Sequence, residues 1–153
     1  MRVSVIGASQ PSETGRDDAF AVGQELGERG HDLVCGGLGG VMESACRGAT
    51  EAGAHTVGIL PGTDRMAANP YVQTAITTGM GSARNVLVVM NGVAVVAIEG
   101  AAGTLSELGH ALDIGRPIAG LNTHAIELDG IEAVATPVEA VDHIEGAIDR
   151  REC

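Results

Sequence analysis

The sequence contains no lysine, so all nine of its positively charged residues are arginine. This absence excludes two kinds of site. A Walker-type phosphate loop needs a lysine that contacts the β- and γ-phosphates of its nucleotide. An enzyme that uses pyridoxal phosphate needs a lysine to hold the cofactor as a Schiff base. The chain can therefore belong to neither class.

Cysteine is scarce, and long apolar runs are absent. The three cysteines, Cys35, Cys46 and Cys153, have no C-x-x-C spacing, which favours reduced thiols over a disulfide framework or a zinc site. No stretch is apolar over the length that a membrane-spanning helix needs. The N-terminus has the pattern of a strand rather than that of a signal peptide. We expect a cytoplasmic protein with no membrane partner, no bound metal and no cofactor.

The sequence also has few positively charged residues. The chain has 20 acidic residues against nine arginines, which gives a formal net charge of −11. An acidic surface repels the phosphate backbone of nucleic acids, so a nucleic-acid partner is not expected. A small-molecule ligand fits this charge better.

Short apolar segments alternate with longer segments of helical periodicity along the 153 residues. This alternation predicts an α/β fold, a doubly wound, Rossmann-like parallel sheet with helices on both faces and right-handed crossovers. The length fits one domain with one core, covering residues 1–153. The predicted strands are 3–6, 32–35, 55–60, 72–77, 93–98, 117–121 and 125–128. The predicted helices are 17–29, 40–52, 80–91, 104–114 and 138–150.

Three glycine-containing turns follow predicted strands, at the edge where a doubly wound sheet binds its ligands. Glycine lets the backbone approach a phosphate closely, and the next helix offers unpaired N–H groups. Glycines that only make tight turns would give the same pattern, but three turns at one edge favour a phosphate site. None matches G-x-G-x-x-G, so a dinucleotide site is not supported. The candidate residues are Gly7, Ala8, Ser9, Gly36, Gly37, Gly40, Val41, Met42, Gly100, Ala101, Ala102, Gly103 and Thr104.

A cation and a carboxylate flank the third turn. Arg84 heads an apolar helix, where it would fit either a surface ion pair or a bidentate contact to phosphate or base. Glu107 also has two interpretations. Thr104 and Glu107 have the spacing of a capping box, with Thr104 as the N-cap. A cap of this kind would still place the Glu107 carboxylate at the mouth of the crevice, so both interpretations stay open.

These motifs resemble those of the LOG-like (SLOG) superfamily, whose Rossmann-like members are also called lysine decarboxylase-like. The family has a G-G-x-x-G-[LV]-M turn, which is matched here by Gly36, Gly37, Gly40, Val41 and Met42. It also has an arginine upstream of P-G-G-x-G-T-x-x-E, which is matched by Arg84, Gly100, Gly103, Thr104 and Glu107 at the family's interval. The resemblance covers the chain from residue 3 to about residue 121.

Three positions depart from the family motifs. Glu99 stands where the motif has proline, and Ala101 stands where it has its second glycine. Asn85 replaces the lysine that follows the arginine in cytokinin-activating members. The Arg-Asn form and the short chain are more similar to the branch with molybdenum-cofactor carrier proteins and uncharacterised prokaryotic members. A carboxylate at residue 99 would repel an anion unless it is protonated or points away.

The resemblance implies two functions, and the sequence leaves both open. Hydrolytic members cleave the N-glycosidic bond of a nucleoside 5′-monophosphate, which implies a phosphoribohydrolase with Arg84 and Glu107 as catalytic residues and a free base as product. The alternative is a carrier or sensor of a nucleotide-like or pterin-phosphate ligand, without turnover. The three departures favour this alternative, whereas the retention of both Arg84 and Glu107 favours the phosphoribohydrolase. The related DNA-processing proteins bind DNA, but the net charge disfavours that role here. Size and resemblance predict a homo-oligomer, either a dimer or a tetramer.

Overall fold

The structure, a computed structural model, describes residues 1–126 and 128–152. Within these residues, one sheet of seven parallel strands is flanked by five α-helices. The strands are β1 (Arg2–Gly7), β2 (Asp32–Cys35), β3 (Thr56–Leu60), β4 (Thr74–Thr77), β5 (Ala94–Ile98), β6 (Ile118–Leu121) and β7 (Ile131–Ala133). The helices are α1 (Glu13–Glu28), α2 (Val41–Glu51), α3 (Asn85–Met90), α4 (Ala102–Asp113) and α5 (Pro137–Glu152).

The strand order places a crevice at the centre of the sheet. Across the sheet the order is β4-β3-β2-β1-β5-β6-β7. The chain starts at β1, moves outward to β4, and then returns to β5 on the other side of β1. Because the connections leave β1 and β5 toward opposite edges, a crevice opens at the carboxyl ends of these two strands. The predicted doubly wound α/β sheet is confirmed.

Two hydrophobic cores cover the two faces of the sheet. Along β5, Ala94, Val96 and Ile98 belong to the core under α1, α2 and α5, whereas Val95 and Ala97 belong to the core under α3 and α4. The alternation arises because successive side chains of a strand point to opposite faces. All five residues of β5 are buried, as expected of a central parallel strand.

Two predicted elements are wrong. The helix predicted over residues 80–91 is divided into a 3₁₀ turn, Gly81–Arg84, and the helix α3. Gly81 has a φ of 56°, a left-handed value that a right-handed helix excludes. The strand predicted over residues 125–128 is also wrong. Residues 123–126 have no regular structure, Glu127 lies outside the described residues, and the last strand is β7.

Among the described residues, no helix combines the length and the apolarity that crossing a bilayer requires.

Candidate functional site

A cleft of about 210 Å³ lies at the carboxyl end of β1, between the β2–α2 turn and the start of α4. Nine of the predicted site residues line it, namely Gly7, Ser9, Gly36, Met42, Arg84, Ala101, Gly103, Thr104 and Glu107. The fold therefore brings residues from all three glycine-containing turns to one place, together with the predicted cation and carboxylate. Their contact with a ligand stays a prediction.

Six predicted site residues do not line the cleft, namely Ala8, Gly37, Gly40, Val41, Gly100 and Ala102. Their visible role is to shape the turns around it. Gly37, Gly40 and Gly100 have φ values of 78°, 71° and 121°, which glycine tolerates far better than other residues. The N–H of Val41 donates to the carbonyl oxygen of Ala8 at 2.9 Å, which joins the β1–α1 loop to the β2–α2 turn.

Arg84 lies across the ends of β2 and β3 and is only 9% exposed. Its Nε donates to the carbonyl oxygen of Ile59 at 2.8 Å, and its Nη2 donates to that of Gly36 at 3.3 Å. Its Nη1 donates to Oδ1 of Asn85. A guanidinium has five N–H groups, so within the described residues two of them remain for a ligand. Gly36 leaves room for this guanidinium, because a Cβ at residue 36 would lie 2.7 Å from Nη2 of Arg84 and the arginine side chain would have to shift.

Asn85 and Ser106 are site residues that the sequence did not indicate as such. Asn85 lines the cleft and is 6% exposed. Its Nδ2 donates to Oγ of Ser106 at 3.1 Å, and that hydroxyl donates to the carbonyl oxygen of Gly103 at 2.7 Å. The relay fixes the Arg84 guanidinium relative to the first turn of α4. The sequence did offer one signal for Asn85, because it is a polar residue between Arg84 and the apolar segment 86–90.

The capping box predicted for α4 is wrong. The N-cap residue is Ala101, and no side chain caps the helix. Thr104 is the third helical residue, and Glu107 lies in the second turn. The helix starts early because the chain turns sharply through Glu99 and Gly100, both of which have positive φ values. Among the described residues, the N–H groups of Ala102, Gly103 and Thr104 have no hydrogen-bond partner. Unpaired N–H groups at a helix N-terminus favour an anion.

Glu107, in the second turn of the same helix, is a buried carboxyl group. It is 8% exposed and lines the cleft. Burial raises the pKa of Glu107 from its ordinary value of 4.5 to about 7, and the nearby Arg84 cation opposes that rise. Burial also lowers the pKa of Arg84, and Glu107 opposes that change. The two side chains form no direct ion pair in the part of the chain that the structure describes, so both can contact a ligand.

Glu99 does not face the cleft. Its Oε2 accepts a hydrogen bond from the N–H of Ser12 at 3.0 Å, and its Oε1 accepts one from the Ser12 hydroxyl. Ser12 is the N-cap of α1, so the carboxylate of Glu99 occupies the positive end of that helix. Glu99 has a φ of 51°, which a proline ring cannot adopt. The turn before α4 therefore has a backbone that the family's motif proline would exclude.

The described residues contain no cluster of metal-ligating side chains. Within residues 1–126 and 128–152, no three His, Cys, Asp or Glu side chains are arranged to hold a metal ion. Nε2 of His124 donates to the carbonyl oxygen of Ala101, a residue that lines the cleft, at 3.0 Å. The arrangement in the cleft is that of an anion site, with a buried cation, unpaired backbone N–H groups and one carboxyl group of near-neutral pKa.

Comparison with known proteins identifies the family. The model of the SLOG cluster4 family matches residues 1–148. The chain belongs to the SLOG cluster4 family. An uncharacterised protein of Archaeoglobus fulgidus is 38% identical over 143 residues, which cover 94% of this chain and 93% of that protein. The predicted resemblance to the SLOG superfamily is confirmed.

Two solved structures indicate which branch of the superfamily this chain is similar to. The molybdenum cofactor binding protein of Rippkaea orientalis is 31% identical, with a TM-score of 0.91 and 96% of each chain covered. The molybdenum cofactor carrier protein of Chlamydomonas reinhardtii is 27% identical, with a TM-score of 0.89. The match covers 97% of this chain and 98% of that one. These neighbours agree with the branch that the Arg-Asn motif predicted.

Proposed function

We propose that this SLOG protein binds and carries a phosphorylated small molecule of the molybdenum-cofactor type. The observation that carries the proposal is the meeting of two anion-binding elements in one cleft. Gly103 and Thr104, whose N–H groups at the start of α4 are unpaired among the described residues, line this cleft together with Arg84, whose guanidinium is buried. A phosphate group between them would receive charge-assisted hydrogen bonds from both.

The size of the cleft limits what it holds. At about 210 Å³, it is smaller than the roughly 300–1,000 Å³ of ordinary small-molecule pockets. It accommodates a phosphate and the group next to it, while the rest of the ligand projects outward. This suits a carrier, which must take up its cargo and release it again. The two solved neighbours, a molybdenum cofactor binding protein and a molybdenum cofactor carrier protein, support a molybdenum cofactor as the cargo.

A phosphoribohydrolase is the second candidate, and the position of Glu107 favours it. Cleavage of an N-glycosidic bond develops positive charge on the sugar, which a buried carboxylate stabilises strongly. With a pKa of about 7, Glu107 exists in both protonation states near neutral pH, as a group that exchanges protons with a substrate requires. In this candidate Arg84 holds the phosphate or the base, and Glu107 acts on the ribose.

One experiment with two readouts separates these functions. The purified protein is mixed with molybdenum cofactor, free ligand is removed, and protein-bound molybdenum is measured. In parallel, a panel of nucleoside 5′-monophosphates is incubated with the protein and free base is measured by chromatography. The carrier proposal predicts retained cofactor and no base. Arg84→Ala abolishes retention, whereas Arg65→Ala, which removes an exposed arginine outside the cleft, leaves it unchanged.

Three results would contradict this proposal. Release of base that disappears in Glu107→Gln would establish the hydrolase instead. Retention that is equal in Arg84→Ala and in Arg65→Ala would show that the cofactor binds elsewhere. Absence of both retention and release would overturn both candidates.

A further inference from the structure

Two cysteines that are distant in the sequence meet behind the cleft. Cys35 ends β2, and Cys46 lies in α2. Their Sγ atoms are 3.5 Å apart, and both residues are fully buried free cysteines. The segment between them contains the whole β2–α2 turn, including Gly36 and Met42 of the cleft wall. Neither thiol takes part in the proposed ligand site.

The surroundings make the two thiols unequal. The hydrogen bond from the Cys46 thiol lowers the pKa of Cys35, and the Gly37 N–H, which donates to its Sγ at 3.3 Å, lowers it further. The Arg84 cation acts in the same direction, whereas burial and Glu107 oppose it. The pKa of Cys46 is raised, first by its hydrogen bond to Cys35 and then by burial. Cys35 is therefore the more acidic thiol of the pair.

We propose that Cys35 and Cys46 form a hydroperoxide-reactive site, in which Cys35 is oxidised first and Cys46 resolves it into a disulfide. A thiolate is the reactive form of cysteine toward peroxide. Hydrogen peroxide is nearly as small as water, and Gly36, the residue next to Cys35 in the chain, lines the cleft.

The chemistry balances with hydrogen peroxide as the only oxidant. The Cys35 thiolate attacks one peroxide oxygen, the O–O bond breaks, and Cys35 becomes a sulfenic acid as hydroxide leaves. The Cys46 sulfur then attacks the Cys35 sulfur. An S–S bond forms, the S–O bond breaks, and the hydroxyl group leaves with the Cys46 proton as water. The two thiols lose two electrons in total, and the peroxide is reduced to water.

The disulfide changes the wall of the cleft. Bond formation brings the two sulfurs from 3.5 Å to about 2.05 Å. The end of β2 then becomes covalently tied to α2 across the turn that carries Gly36 and Met42.

The test uses hydrogen peroxide on the full chain in a Cys153→Ser background, which removes the third cysteine. Peptide mapping of this parent is expected to show a Cys35–Cys46 link, with both thiols lost together. Adding Cys46→Ser is expected to trap the Cys35 sulfenic acid as a dimedone adduct. Adding Cys35→Ser is expected to leave Cys46 free for alkylation, with its oxidation at least about tenfold slower than in the parent.

The methionines supply an internal control. Met66 is 83% exposed, so its conversion to the sulfoxide shows that the peroxide dose is effective. Oxidised Met66 beside two unmodified thiols in the parent would overturn the proposal. Loss of Cys46 at the same rate with and without Cys35 would overturn the assigned order. If a serine variant fails to fold by circular dichroism, the alanine variant replaces it, and the parent map alone still decides whether the disulfide forms.

Discussion

At the scale of single residues, the cleft depends on two charged groups that are held away from water. Arg84 and Glu107 are each less than 10% exposed, and each moderates the effect of burial on the pKa of the other. Because their side chains form no direct ion pair among the described residues, neither charge is neutralised by contact. An anion that enters the cleft would meet the Arg84 cation, which within the described residues has two N–H groups that make no other hydrogen bond.

Burial of Glu107 makes stability depend on pH. Its folded-state pKa of about 7 exceeds its ordinary value of 4.5, so between these values the folded state holds more protons than the unfolded state. The free energy of unfolding therefore falls as pH rises through this window, by roughly 3 kcal/mol at most. Glu107→Gln removes this loss, and the variant is expected to be more stable than the parent at pH 8.

Urea unfolding of both proteins at pH 5 and pH 8 checks this expectation. Other titrating groups affect both proteins equally, so the difference between the two isolates Glu107. If the stability of the parent and that of Glu107→Gln changed equally with pH, this would contradict a pKa of Glu107 that is raised by burial.

Glu99 provides a second test at this scale, because replacing it with the family's proline should harm the protein. Proline cannot adopt the φ of 51° seen here, and it would remove the N–H that donates to the Leu121 carbonyl oxygen at 2.9 Å. We expect Glu99→Pro to cost about 3 kcal/mol or more. Glu99→Gln keeps the N–H and an acceptor for Ser12, and it should lose far less. Equal melting temperatures for the two variants would show that the turn is not strained in this way.

At the scale of elements, sequence patterns succeeded where they were local and failed where distant contacts decide. The strand 32–35 and the apolar central strand were predicted closely, because burial on both faces leaves a plain apolar run. The start of α4 was predicted wrongly. Thr104 and Glu107 satisfy the capping-box spacing, but the helix begins at Ala102. The conformation that sets this start depends on Glu99 bonding to Ser12, a contact that no local pattern reveals.

The pairing of α1 with α2 also depends on close approach. A Cβ on Gly23 would overlap the carbonyl oxygen of Ala45 in α2, so Gly23→Ala must push the helices apart. We expect it to destabilise the protein by about 1–3 kcal/mol. Gly109→Ala is the matched control, because Gly109 lies in α4 with nothing near its Cβ direction.

Removing a glycine from that exposed helix position should instead stabilise the protein by about 0.5–1 kcal/mol. Chemical denaturation of both variants shows directly whether each substitution lowers or raises the free energy of unfolding. If Gly23→Ala were as stable as the parent, this would mean that Gly23 of α1 does not approach the Ala45 carbonyl oxygen of α2 so closely.

At the scale of the whole molecule, the topology assembles a site from segments far apart in the chain. The strand–helix alternation was sufficient to predict the sheet, its centre and the edge where the turns meet. It could not indicate the relay from Arg84 through Asn85 to Ser106, because that relay depends on how α3 packs against α4. It also gave no sign that Cys35 and Cys46 touch. The predicted homo-oligomer stays a prediction.

The central claim is that an anion binds between Arg84 and the start of α4. Titration of ¹⁵N-labelled protein with inorganic phosphate, followed by amide NMR, tests it most directly. We predict that the amide signals of Ala102, Gly103 and Thr104 shift with phosphate concentration, and that these shifts are lost in Arg84→Ala but kept in Arg65→Ala. Shifts confined to the start of α1, or equal shifts in both variants, would contradict the account.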